Sequence, residues 1–144
     1  MNEMLLILTA VVSTIFVFSA WKVSKERLYS VIVVFLILIA TLGGKTVQFF
    51  GHTTNTGNIF YAAVFLATYF IIERYGRQKG VYSIWVGALA VSIFTILAYL
   101  TVLMDGSPSL GLTSDISKVL TSIPRVAFAS ILSYVISQNL NALL

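Results

Sequence analysis

Three features of this sequence point to an all-α membrane protein, a bundle of five transmembrane helices with the N-terminus outside and the C-terminus in the cytoplasm. Of its 144 residues, 58% are hydrophobic and only 10% are charged, whereas soluble domains carry about 25% charged residues. So little polar surface cannot cover a domain in water, and the mean hydropathy of +0.96 agrees. Five apolar segments are each long enough to cross roughly 30 Å of hydrocarbon at about 1.5 Å per residue. Lysine and arginine gather in alternate short loops, the pattern that marks cytoplasmic connections.

The first span is expected at 4–21. It ends in small residues, Phe18-Ser19-Ala20, as a secretory leader does, but Glu3 stands where such a leader needs positive charge. A retained helix is the expectation. Lys22 to Arg27 separates it from a second span at 28–44. A polar loop follows, Gln48 to Thr56, in which HTTNT carries no strand alternation and reads as weakly structured. The third span, 57–74, opens with Gly57-Asn58, where Asn58 suits a helix N-terminal cap. Residues 74–80 form the next basic loop, before a fourth span at 81–104. Asp105-Gly106-Ser107-Pro108-Ser109 has turn chemistry, and a fifth span runs over 118–143. No linker divides these segments, so residues 1–144 form a single transmembrane domain.

Orientation follows from charge. The loops 22–27 and 74–80 hold Lys22, Lys25, Arg27, Arg74, Arg77 and Lys79, against Asp105 and Asp115 on the other side. Trp21, Tyr29, Tyr75, Tyr82 and Trp85 cluster near the basic boundary, where amphipathic rings prefer to sit. A multi-pass protein of the cell membrane, in contact with the lipid bilayer, is the expectation.

Several function classes fall away. There is no cysteine and one histidine, His52, so neither a thiolate nor a histidine metal cluster is available. No basic run is long enough to grip nucleic acid. No nucleophile sits near a base and no carboxylates pair, so neither enzyme activity nor a cofactor is expected.

The polar residues inside the spans carry what remains. Glu73 ends the third span, with Tyr69 one turn deeper on the same face. Glu73 either snorkels and pairs with Arg77 four residues on, or meets a substrate or proton. On the fifth span, Ser130, Ser133, Tyr134, Ser137, Gln138 and Asn141 fall on one face, with Phe128, Leu132, Val135 and Ile136 opposite. Such a stripe is either helix–helix glue or the lining of a wet or ligand-filled cavity. Arg125, after Pro124, reaches outer headgroups or fixes an acidic or purine edge.

From Lys45 onward the chain resembles the queuosine precursor transporter, or vitamin uptake transporter, family. The resemblance lies in KTVQFFG (45–51), GNIFYAAVFLAT (57–68), ERYGRQKG (73–80) and PRVAFASILSYVISQNLN (124–141), in the family's order and over about two thirds of the chain. It implies a multi-spanning carrier for deazaguanine precursors of a modified tRNA nucleoside. Lys45, Asn58, Glu73, Arg125 and Gln138 match the family's pattern. Tyr69 and Asn141 stand where the family usually has aspartate, which removes two intramembrane carboxylates. The family's chain also continues through further spans. The resemblance therefore implies uptake of a small polar heterocycle at a neutral site drawn from Asn58, Tyr69, Glu73, Arg125, Tyr134, Gln138 and Asn141, completed by a homo-oligomer or a larger membrane complex. The alternative expectation is a non-transporting accessory subunit.

Overall fold

A computed structural model describes the backbone of residues 2–104 and 112–143, with side chains over 3–104, at 118, over 128–141 and at 143. Five helices follow in order: α1 Asn2–Val23, α2 Lys25–Leu42, α3 Gly57–Tyr75, α4 Arg77–Val102 and α5 Leu112–Leu143. A two-stranded antiparallel hairpin, β1 Thr46–Phe49 and β2 His52–Asn55, joins α2 to α3.

That hairpin corrects the expectation of a loosely structured 48–56 loop. Its turn is Phe50-Gly51, both with positive φ (47° and 81°), the conformation whose twist matches two paired strands. Gly51 adopts it freely, and Phe50 is a bulky exception. The β-branched threonines of HTTN suit the pleat, and Thr46 pairs with Asn55, Phe49 with His52.

The helix ends also differ from expectation in detail. α5 begins at Leu112, so Asp115 lies in its first turn rather than in a loop. Thr56, not Asn58, is the N-cap residue of α3, and the Asn55 side-chain oxygen accepts from the Gly57 N–H at 2.6 Å. Asx geometry two residues back has taken the role expected of Asn58. The Arg125 side chain and residues 105–109, where a turn was expected, lie outside what the structure describes.

α2 is the centre of the bundle and touches each of the other four helices. Leu28, Ile32, Phe35, Leu36, Ile39 and Ala40 of α2 pack with Ala63, Val64, Ala67 and Ile71 of α3 and Ile84 and Val91 of α4. The outer surface is apolar as well. Leu5, Leu8, Val12, Ile15 and Phe16 of α1, Leu89, Ile93 and Leu97 of α4, and Leu132, Ile136 and Leu140 of α5 are all exposed. An apolar belt of that extent does not face water in a soluble monomer.

Among the described residues, α1 (Glu3–Val23) and α4 (Arg77–Val102) are long and apolar enough to cross a membrane by length and composition alone. α2 opens with Lys25-Glu26-Arg27 and α3 closes with Glu73-Arg74, so their apolar stretches are shorter than the helices that carry them.

Candidate functional site

The polar face of α5 is divided by its packing. Tyr134 and Gln138, one helical turn apart, are 3% and 0% exposed. Ser130 and Asn141 are half-buried, while Ser133 and Ser137 are exposed. The buried pair faces the bundle, and the two serines face outward beside Phe128, Leu132 and Ile136.

Contacts around α4 fix which side chains share a level. The Tyr134 hydroxyl, Leu36 and Ile32 all lie against Gly87 of α4. Ser130, Ile131 and Tyr134 share a small cavity with Leu36, Ile39, Ala40, Tyr61, Ala88 and Val91. On the α3 side, Ile72 lies against Gly80. As numbers rise along α4 they fall along α3 and α5, so α4 runs antiparallel to both. Moving one turn from the cavity toward the basic end puts Thr68 of α3, Ser83 of α4 and Gln138 of α5 at one level.

All three are buried, at 0%, 1% and 0% exposure. Ser83 donates to the Gly80 carbonyl at 2.7 Å. The Thr68 hydroxyl, the Tyr134 hydroxyl and both ends of the Gln138 amide have no hydrogen-bond partner among the described residues. An unanswered buried polar group costs about 1–3 kcal/mol, so four such atoms in adjacent turns require an explanation. The cavity beside Tyr134 offers about 10 Å³ to the centre of a water-sized sphere, about what one water requires. The layer is closed.

The other sequence-derived candidates lie elsewhere. Tyr69 is 54% exposed, and Glu73 and Asn58 are exposed. All three follow the outward stripe of α3, so they do not join Tyr134 and Gln138. Asn58 borders grooves between α1 and α3 with Ala10 and Ile59.

Glu73 makes no ion pair with Arg77 among the described residues. Gly76, at φ 86°, ends α3 between them, and the four-residue helical spacing is lost. Arg74 takes the structural role instead. Its guanidinium donates to the Trp21 carbonyl of α1 at 2.7 Å and lies over the Trp21 and Tyr75 rings. A cation on an open carbonyl at a helix C-terminus is favourable, and it fastens the α1–α2 and α3–α4 junctions to one end of the bundle. The loops expected at 22–27 and 74–80 are each one residue, Ser24 and Gly76, and Lys25, Arg27, Arg77 and Lys79 lie in the first turns of α2 and α4.

Sequence reasoning missed Thr68 and Ser83. Thr68 is adjacent to Tyr69 but points to the opposite side, among buried Val64, Ala67 and Ile71.

Residues 55–144 match the family model described as "Putative vitamin uptake transporter". The chain belongs to this family. It is also 35% identical over 106 residues to the "Probable queuosine precursor transporter" of Bacillus subtilis (strain 168), over 67% of this chain and 42% of the relative. The chain thus spans less than half the length of the curated relative that it matches. No solved structure matches it. The family match and the apolar helices together mark this chain as a membrane protein. The matched region includes Thr68, Ser83, Tyr134 and Gln138.

Proposed function

We propose that this protein is a five-span, multi-pass carrier of the cell membrane, N-terminus outside and C-terminus cytoplasmic, that takes up a small polar heterocycle of the deazaguanine class. The observation that carries this reading is Gln138, fully buried with both amide atoms unanswered among the described residues. A side-chain amide offers a donor and an acceptor in one plane, the complement of a lactam edge on a purine-like ring. Tyr134 adds a hydroxyl one turn away. Residues 68 to 76 cover about 12 Å of helix, which sets the Thr68–Gln138 layer near the middle of a hydrocarbon core of roughly 30 Å. Carriers commonly hold their cargo at that depth.

Binding residues in this reading are Gln138 and Tyr134, with Asn141 half-buried one turn beyond. Asn58, Tyr69 and Glu73 face outward and would meet cargo only with an opposing surface. A second copy of the chain, or another chain of a larger membrane complex, would supply that surface. Polar residues on the outward side of a spanning helix usually face protein or water rather than lipid. A purine-sized ring does not fit the present cavity, so loading requires α5 to part from α2 and α4.

Uptake of labelled 7-deazaguanine by cells lacking their own carrier tests the proposal. Wild-type protein is expected to restore uptake, and Gln138→Leu to lower it at least tenfold without loss of thermal stability, because it removes an unanswered amide. Glu73→Gln separates the two faces, since it lowers uptake only if the outward stripe meets cargo. Absence of uptake by well-folded wild-type protein overturns the proposal.

A further inference from the structure

The basic end of the bundle carries more positive charge than its own acids answer. Lys22, Lys25, Arg27, Arg74, Arg77 and Lys79 stand there against Glu26 and Glu73. All of these cations except Lys25 are exposed, and Lys25 is the one that Glu26 approaches, at 3.8 Å.

Arg74 is the ordered member of the group. Its guanidinium is fixed by the Trp21 carbonyl at 2.7 Å and by the Trp21 and Tyr75 rings. That bond uses one of five N–H donors, and the others have no acceptor among the described residues. The carbonyl that Arg74 holds is bonded to the Lys22 nitrogen, so the two cations rise from one corner of the α1–α3 seam. Glu73 lies on the outward Tyr69 face, about 100° around α3 from Arg74. Beneath the corner the rings are apolar and packed. Trp21 stacks on Phe70 at 5.1 Å, Phe18 meets Phe70 edge-on at 5.2 Å, and Phe18 is 42% exposed.

We infer that this corner binds the headgroup of an anionic phospholipid, with Arg74 and Lys22 on the phosphodiester and Phe18 beside the acyl chains. A guanidinium held in place matches phosphate oxygens with little further ordering. Cations above exposed apolar rings complement a phospholipid, whose charge and chains are stacked in the same order. The surplus from Arg77 and Lys79 favours a lipid of net negative charge, at about fivefold in affinity for each cation near the surface. The inference stands apart from the transport reading.

The full chain in phosphatidylcholine nanodiscs, with and without phosphatidylglycerol at equal total lipid, tests it through the thermal transition. Phosphatidylglycerol is expected to raise the transition by several degrees, and high salt to remove most of the gain. Lys22→Gln should at least halve the gain while leaving the transition in pure phosphatidylcholine unchanged, because Lys22 is exposed. Lys45→Gln, at the hairpin end, should keep the gain. Equal transitions in the two lipids overturn the inference, as does an equal loss of the gain in Lys22→Gln and Lys45→Gln. The same gain from free inorganic phosphate also overturns it, since the corner would then be an anion site and not a lipid seat. Native mass spectrometry supplies a second readout: phosphatidylglycerol should stay on the wild-type chain and be lost from Lys22→Gln, and equal retention by both counts against the corner.

Discussion

Gly87 sets the position of the Tyr134 hydroxyl. A Cβ built there would lie 2.5 Å from Leu36 Cδ1 and 3.1 Å from the Tyr134 hydroxyl oxygen, both below ordinary van der Waals contact. Leu36 and Tyr134 are each at or below 5% exposure, so neither has free space to move into. Gly87→Ala is therefore expected to destabilise the protein by about 1–3 kcal/mol, the usual cost of an extra methyl in a packed core. Thermal unfolding in detergent measures it. Tyr134→Phe in the same chain should recover part of the loss, because the hydroxyl is one of the two groups in the way. Strict additivity of the two substitutions would mean that they do not touch. This scale also shows how much of the site the sequence carried. Tyr134 and Gln138 were legible because α5 has a polar and an apolar side. Thr68 was not, because α3 is apolar nearly all round and nothing local tells its inner face from its outer one. Tyr69, the more conspicuous residue, drew attention to the outward side, and only the packing of Ala67 and Ile71 against α2 sets the phase.

At the scale of elements, the start of α2 is the best defined boundary in the bundle. Ser24 is its N-cap in extended geometry, and its side chain accepts from the Arg27 N–H at 3.3 Å. The Glu26 carboxyl is held below its ordinary value, first by its own backbone N–H and then by the Ser24 hydroxyl and Lys25. A carboxylate near helix-start N–H groups is favourable. The sign follows from the depressed value: the support is present above the usual glutamate range and is lost as pH falls through the lowered value. Amide exchange in the first turn of α2, corrected for intrinsic rate, should accelerate only as pH falls below the ordinary glutamate range. Ser24→Ala should cost about 1 kcal/mol and move that onset upward, whereas an unmoved onset would show that the cap does not act on Glu26. All five helices were legible as apolar runs, since length and hydropathy are local properties. The hairpin was not, because four-residue strands leave too short an alternation to see. Its turn also places Phe50 at positive φ, where sequence preference expects glycine or asparagine. The α3 break at Gly76 had a visible glycine, but its consequence, separation of Glu73 from Arg77, needed coordinates.

For the whole molecule, membrane orientation has the widest consequences: under the proposed transport function it decides which end of the Thr68–Gln138 layer meets cargo first. The bond from Arg74 to the Trp21 carbonyl holds the α1–α2 and α3–α4 junctions at one end, and the hairpin closes the other end between α2 and α3. If the basic end is cytoplasmic, the hairpin is external. The chain has no cysteine, so each introduced cysteine is a unique reporter. His52→Cys in β2 should react with a membrane-impermeant maleimide in intact cells, and Lys79→Cys should react only after the cells are opened. The reverse pattern would invert the orientation and leave the bundle intact. Labelling of both from one side would mean that α3 does not cross. That outcome is the sharpest threat to a five-span bundle, because α3 ends in Glu73-Arg74. In the proposed five-span bundle its crossing would depend on Arg74 finding the end of α1 at the interface, a contact that no count of apolar residues records.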